Sequence, residues 1–371
     1  MSIELNWSVR ALVFAAVVVI AGCGDEKPAT SRPKDSAAAS TSKDSSEEAP
    51  VAGTKPAGGF DTGKPVVDST ARYGFALRPK KGDAFAYRMR TDNVTAIGGK
   101  KMTEVTVYNF TITVTGLNDD GSLTVDMTHD SIRVKRSYDA GLVDSVARTI
   151  AFDTRKADTS MRGTEQYRAL IGKRVNLTLS KDGDVREVSN VDPVVNAIFG
   201  KVRDKIPPKQ WGQFRELVKV QAYSGIISQI FLKEAPDSAV APGRQWTRTY
   251  EVPAMGIPSR NSVSYKLAEV REVNGRHLGR VVMKLTTKFL QNKVDNELVT
   301  ATIDEMKADG EAEAVIQLDN GFPVRKVSSI EMSMKMTGTL KDGPEKGKSD
   351  TLEQAIATRL TLELVNFTAG S

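Results

Sequence analysis

The sequence contains very little cysteine and histidine: one Cys and two His among 371 residues. A single cysteine cannot form a disulfide within the chain, and one Cys with two His cannot supply the usual ligand sets of a structural zinc site. Lys and Arg outnumber Asp and Glu by 52 to 46. This surplus is too dilute over so long a chain for a dedicated nucleic-acid binder, so no nucleic-acid partner is expected. Phosphate-cradling glycine motifs, H-E-x-x-H and EF-hand loops are also missing from the sequence.

Long apolar runs are missing as well, apart from one near the N-terminus. Residues Ala11–Gly22 form a run of twelve apolar or small residues after Arg10. A membrane-spanning helix needs about 20 such residues, so the run is typical of a signal-peptide core over residues 1–22. It ends in Ile20-Ala21-Gly22-Cys23, at the only cysteine of the chain.

These four residues resemble the lipobox of bacterial lipoproteins. The resemblance implies cleavage between Gly22 and Cys23, and acyl groups on Cys23 that anchor the protein to a membrane. No other cofactor is expected. By the same resemblance, Gly24 directly after the cysteine implies that the anchored protein is located in the outer membrane rather than the inner membrane. The alternative is an ordinary signal peptide with a cysteine near its cleavage site.

The segment after the cysteine, residues 24–59, has the composition of a disordered tether. It contains one large apolar side chain, Val51, and eleven charged residues among 36. Such a segment cannot bury enough apolar surface to offset its ordering entropy. As a coil it would span about 30–35 Å. Residues 23–59 are therefore predicted to hold the folded part away from the membrane.

Residues 60–371 are predicted to form a single, mainly β body. Apolar residues alternate with polar ones over Tyr108–Val114 and again over Leu123–Met127, with a turn at Asn118–Gly121 between them. The opposite phase of Val105 and Val107 predicts a β-bulge before Phe110. We expect antiparallel, curved sheets arranged as a barrel or a sandwich.

The order of strands and turns is predicted to occur twice, in halves of about 75–189 and 243–368. Gly82 opens the first unit and Gly243 the second, and each unit continues through a hairpin to a turn glycine, Gly183 or Gly321. Turns of this kind need positive φ, which glycine adopts readily. The pattern predicts a duplicated β-meander joined by a helical section at 190–234.

The helical section contains the most apolar stretch of the body. Two helices are predicted, over 190–202 and 209–234, and the second has large apolar residues at near-helical spacing. Its candidates for covering an apolar ligand are Trp211, Phe214, Ile227 and Phe231. Met334 joins them as the centre of an alternating row, Met332, Met334 and Met336, because methionine adapts to irregular apolar shapes. Plain core packing is the alternative for all five.

Catalytic residues are not apparent. His129-Asp130-Ser131 contains the residue types of a catalytic triad. Neighbouring residues of a strand point to opposite faces, so Asp130 could not orient His129. A buried structural histidine is the preferred interpretation, and no enzyme activity is expected.

Three short patterns carry a wider resemblance: Leu77–Asp83, Gly172-Lys173 before a strand, and Pro242-Gly243-x-x-Trp246. With the lipobox and the tether, they are similar to an uncharacterised family of β-rich bacterial lipoproteins, which implies no activity. The expected architecture is also loosely similar to periplasmic lipoprotein carriers. We therefore hypothesise a lipid-anchored envelope protein that binds an apolar ligand or an envelope partner. The alternatives are an interaction module with a filled core and, third, an enzyme.

Overall fold

The computed structural model describes the folded body of the chain. It covers residues 60–370 except for 69, 143–147, 157–164, 232–235, 237, 255–256, 296–298 and 342–345. Cys23, the predicted signal peptide and the predicted tether lie outside the described residues. None of the helices in the described part has the length and apolar character needed to cross a membrane.

The described residues form fourteen strands and four short α-helices. The strands of the first half are Lys64–Pro65 (β1), Ala84–Ile97 (β2), Lys100–Leu117 (β3), Leu123–Tyr138 (β4), Arg148–Asp153 (β5), Arg174–Leu179 (β6) and Val185–Ser189 (β7). Those of the second half are Gln245–Ala254 (β8), Ile257–Val273 (β9), Arg276–Phe289 (β10), Lys293–Asp295 (β11), Val299–Gln317 (β12), Pro323–Leu340 (β13) and Ser349–Thr368 (β14). The α-helices are Glu165–Leu170 (α1), Asp192–Phe199 (α2), Pro208–Lys219 (α3) and Gly225–Ile230 (α4).

All fourteen strands belong to one antiparallel sheet, as the mainly β prediction requires. Its order is β1-β9-β10-β12-β13-β14-β2-β3-β4-β6-β7, with β8 on β9, β11 on β12 and β5 on β4. The described strands form a single sheet that does not close on itself, so the prediction of a barrel-like or sandwich arrangement was wrong, although the antiparallel β class was right. The reason is that β14 pairs with β13 on one side and with β2 on the other, which joins the two halves edge to edge.

Two five-strand meanders make up most of the sheet. The N-terminal meander runs β2-β3-β4-β6-β7, and the C-terminal meander runs β8-β9-β10-β12-β13. Both open on a glycine with positive φ, 90° at Gly82 and 84° at Gly243. The Gly82 N–H donates to the carbonyl of Val114 at 2.8 Å, and the Gly243 N–H donates to the carbonyl of Leu267 at 2.6 Å. The two meanders therefore begin with the same turn and the same first rung.

The two meanders also share two of their β-bulges. The extra residue on the second strand is Thr115 in β3 and Ala268 in β9, in each case directly after the residue that bonds the opening glycine. The extra residue on the last strand is Arg186 in β7 and Val324 in β13. Bulges re-aim a strand at a defined position and are seldom placed by chance. These shared irregularities support the duplication, which stays a prediction.

The helical section differs in detail from its prediction. The helix expected over 209–234 is α3, a π-helical turn at Val220–Ser224 and α4, and the chain becomes extended at Phe231. The first helix, α2, continues as a 3₁₀ helix over Gly200–Lys205. The sequence also missed α1, because six residues are too short to show a helical period.

The main core lies between the N-terminal meander and the helices. Inward-facing residues such as Phe110 and Val125 pack with Ile227, and each of these three is fully buried. A second core covers the C-terminal meander, where Phe75 and Val240 pack on the sheet. Phe85 and Phe322 stack at 3.8 Å between ring centroids and tie the second meander's last turn to the first core.

Candidate functional site

His129 points into the main core from β4 and is completely buried. Its Nε2 lies 3.0 Å from the carbonyl oxygen of Ala222 in the π-helical turn. A carbonyl only accepts, so Nε2 carries the proton and donates, while the buried Nδ1 has no hydrogen-bond partner among the residues that the structure describes. Burial lowers the pKa of His129 to about 4, although the bond to Ala222 opposes this shift. The imidazole is therefore neutral at pH 7.

The neighbours of His129 in the sequence do not join it in a catalytic arrangement. The pairing of β3 with β4 skips Asp130, so the bulge before Phe110 comes from an extra residue on β4. Asp130 Oδ2 accepts from the Thr111 hydroxyl at 3.0 Å. Ser131 Oγ accepts from the Asn109 side-chain amide at 2.8 Å. Each of the three side chains has its own separate surroundings.

Acidic, histidine and cysteine side chains do not cluster in a metal-binding arrangement within the described ranges. One depression of about 300 Å³ lies at the β9–β10 turn, lined by 62–64 and 272–275. Its lining includes Lys64, Glu272 and Asn274. These polar groups do not suit an apolar ligand.

Three of the four candidate residues of the helical section pack in or against the main core, and the fourth, Phe214, contacts another helical residue. Ile227 and Phe231 are buried in the main core, at 0% and 2% exposure. Trp211 is half-buried, with the Arg203 guanidinium 4.2 Å from its ring centroid. Phe214 is also half-buried and stacks on Phe199 at 4.5 Å. Ile227 and Phe231 therefore belong to the packed core, Trp211 packs against it, and Phe214 packs on Phe199.

The fifth candidate, Met334, lies elsewhere on the sheet. It belongs to a separate apolar cluster that we name the methionine strip. The members of the strip are Phe289, Ile303, Met306, Met334 and Met336. In register, Met334 faces Met306 of β12, and Met336 faces Ile303. The structure therefore does not bring Met334 together with the helical candidates.

Gln354 lies directly beside the strip and was not recognised in the sequence. It is on β14, opposite Met334 of β13 on one side and Ile97 of β2 on the other. The residue is only 2% exposed, and within the described part of the chain neither its side-chain oxygen nor its nitrogen has a hydrogen-bond partner. A buried polar group without a partner costs about 1–3 kcal/mol. The sequence signal was its place in phase with Leu352 and Ile356, where an apolar residue is expected.

Two other polar groups on the same face of the sheet are paired. Thr358, four residues along β14 from Gln354, donates its hydroxyl to Asn93 Oδ1 at 2.8 Å. In the same cross-strand row, Arg136 of β4 forms an ion pair with Glu104 of β3. Gln354 therefore differs from these neighbours in having a buried amide with nothing to bond.

The sequence of the chain matches a family of unknown function (DUF6263) over residues 120–323, more than half of its length. The chain belongs to this family. The matched span holds His129 and the helical section, and it ends before Met334 and Gln354. Comparison with curated protein sequences returns no match.

Similar solved structures include one described as lipid–protein interactions in lipovitellin. It is 12% identical, with a TM-score of 0.39 over 80% of this chain and 26% of that chain. The chain therefore spans about a quarter of the lipovitellin chain it matches.

Two bacterial structures are more distant. Pseudomonas aeruginosa OccK7 is 7% identical, with a TM-score of 0.20 over 76% of this chain and 99% of that chain. A DUF1329 family protein from Desulfovibrio piger is 9% identical, with a TM-score of 0.13 over 77% and 86%. TM-scores this low transfer no function to the chain.

Proposed function

We propose that this chain is a lipid-anchored protein of the bacterial cell envelope that binds an apolar ligand on the methionine strip. The anchor rests on Ile20–Cys23, where two small residues separate a branched aliphatic residue from the only cysteine. Several acyl chains on Cys23 bury enough CH₂ groups for stable attachment, whereas one chain binds only marginally. The tether over 24–59 gives the body reach from the membrane, and Gly24 favours the outer membrane.

The methionine strip is the observation that carries the binding proposal. It forms a cluster separate from the core that the helices cover. Methionine side chains are flexible and polarizable, and they adapt to apolar ligands of irregular shape. The helical residues Ile227 and Phe231, by contrast, already fill the main core. Ile303 and Met334 of the strip are buried too, at 6% and 3% exposure, but Phe289, Met306 and Met336 are half-buried. The strip therefore offers a ligand more apolar surface than Ile227 and Phe231 do.

A binding role suits the chain better than catalysis. The imidazole of His129 is fully buried among the rings of Tyr108, Phe110 and Tyr223, at centroid distances of 5.9, 6.2 and 5.5 Å. A neutral histidine in such a position serves packing. We propose no enzymatic activity.

Replacing Cys23 with serine tests the anchor. Cys23→Ser should abolish acylation and either release a soluble protein or leave an uncleaved precursor. Membrane fractionation after a high-salt wash, with intact mass measurement, distinguishes these results from the wild type. A variant that is cleaved normally and still sediments with the membrane would show that the anchor assignment is wrong.

The Cys23→Ser chain, once released, also allows a test of binding by titration with an apolar fluorescent probe. Adding Met306→Gln should weaken probe binding by roughly tenfold, because one missing apolar contact is worth about 1–3 kcal/mol. Leu217→Gln is the matched control, since Leu217 is 38% exposed on α3 and away from the strip. If the parent chain binds no probe, the strip is filled core and the protein is an interaction module.

A further inference from the structure

Gln354 occupies an apolar part of the inner sheet face. Its four nearest neighbours on that face are Met334 and Ile97 across the strands, and Leu352 and Ile356 along β14. All four are apolar. The backbone groups of β14 are engaged with β13 and β2 on both sides, so they offer no partner to the side chain.

A single buried water would not satisfy the hydrogen-bonding groups of the Gln354 amide. Buried waters typically make about three hydrogen bonds to polar groups of the protein. The four nearest same-face neighbours of Gln354 offer none, and the next polar side chain on that face is the buried Thr95, diagonally across on β2. A water at this place would have at most two side-chain partners. A molecule with an apolar part and one polar group would contact the strip with the first and give the Gln354 amide a hydrogen-bond partner with the second.

The amide also specifies what that polar group must offer. A glutamine side chain has one acceptor oxygen and two N–H donors, so a complementary group needs both a donor and an acceptor. It should also be neutral. Lys335 of the neighbouring strand β13 forms an ion pair with Glu353 at 3.0 Å. Both residues are one position out of phase with Met334 and Gln354, so their side chains lie on the opposite face of the sheet. On the face of Gln354 the nearest lysine is Lys100 of β3, beyond Ile97 in the same row, and its Nζ donates to the Gly141 carbonyl at 2.9 Å. A buried carboxylate at Gln354 would therefore lie near a cation that is already bonded, and a neutral head suits the site better.

From this arrangement we infer that the strip takes an acyl-chain amphiphile with a neutral amide or carboxylic acid head, and that Gln354 binds the head. This inference rests on the proposed function, because the strip must bind the acyl chain of the ligand before Gln354 can bond its head group. Gln354 is then a specificity residue, and the strip supplies the apolar affinity.

Competition for the apolar probe by three twelve-carbon chains tests the inference on the Cys23→Ser protein. Dodecanamide and dodecanoic acid carry a donor and an acceptor, whereas methyl dodecanoate carries only acceptors. We expect dodecanamide to bind about tenfold more tightly than the methyl ester, which corresponds to about 1.4 kcal/mol. Gln354→Leu should remove this preference by weakening the amide, and the ester should bind as before. Dodecanoic acid tested at pH 4 and pH 8 separates a neutral acid head from a carboxylate.

Gln317→Leu is the matched control. Gln317 is also buried, at 3% exposure, but its Oε1 accepts from the Arg276 guanidinium at 3.0 Å. Without ligand, Gln354→Leu should melt at or above the parent temperature, because it removes an unpaired polar group. Gln317→Leu should melt lower and keep the preference for the amide. If Gln354→Leu does not melt cooperatively, Gln354→Met is compared in its place.

The possible failures are distinguishable. If the parent binds the probe, but amide and ester compete equally and Gln354→Leu changes neither, the inference about Gln354 is overturned and the strip remains a binding surface. A preference for the amide that survives in Gln354→Leu or Gln354→Met overturns it as well. If the parent binds neither probe nor chains, the proposed function itself fails.

Discussion

The buried imidazole of His129 makes the stability of the fold depend on pH in a defined window. In the folded protein its pKa is about 4, against an ordinary value of 6.5. Below pH 6.5 the unfolded chain takes up a proton that the folded chain refuses. The contribution of His129 to stability is therefore fully present above pH 6.5 and is lost as the pH falls to about 4.

The size of this loss follows from the two pKa values. Each pKa unit corresponds to about 1.4 kcal/mol, so the interval predicts a loss of about 3 kcal/mol between pH 7 and pH 4. Carboxyl groups titrate in the same range, so the quantity to measure is the difference between the wild type and His129→Leu. The leucine variant also loses the bond to Ala222, but this cost is the same at every pH.

Urea denaturation at pH 7, 6, 5 and 4, followed by tryptophan fluorescence, measures this difference directly. The wild type should lose about 3 kcal/mol relative to His129→Leu over the series. His277→Gln is the control, because the side chain of His277 is 41% exposed near Asp319. If the free energies of unfolding of the wild type and His129→Leu differ by the same amount at every pH from 7 to 4, His129 is not a buried neutral residue and the account of the core is refuted.

Further stability predictions concern the helical cover and a turn. Ile227→Ala should lower the free energy of unfolding by about 2–5 kcal/mol, and Phe214→Ala by less, because Ile227 is fully buried and Phe214 is not; equal losses in chemical denaturation would contradict this. Gly183→Ala should cost more than Gly347→Ala, although their φ values are 89° and 82°. An added Cβ would lie 2.6 Å from Phe231 at the first position and would meet nothing within 4 Å at the second. Thermal melts of the two variants check this, and the idea fails if they melt alike.

Much of the β architecture could be predicted from local patterns. The alternating stretches Tyr108–Val114 and Leu123–Met127 lie within β3 and β4, and the turn predicted at Asn118–Gly121 joins these two strands. Alternation of apolar and polar residues reports which face a residue takes, and that is a local property of the chain. The helices were predicted less well, since the single helix expected over 209–234 is interrupted by the π-helical turn at 220–224. That turn contains Ala222, whose carbonyl bonds His129, 93 residues away in the sequence, and local patterns do not report such a contact.

The candidate site could be predicted only in part. Met334 was recognised because methionines alternate with polar residues along β13. Gln354 was not, because one polar residue in an apolar phase is common in strands and signals nothing until its neighbours are known. Its isolation depends on Met334 and Ile97, which come from strands at distant positions in the sequence.

By itself, the sequence determined the mainly β class, the turn glycines that begin and end strands, and the pattern at Cys23 that predicts an anchor. Each of these depends on residues a few positions apart. Only the tertiary structure decided that β14 pairs with β13 and β2, which makes one open sheet from two meanders. It also decided that His129 is buried against Ala222 and that Gln354 has no partner. The physical reason is that strand alternation specifies a face but not a neighbour, and burial and hydrogen bonding depend on the neighbour.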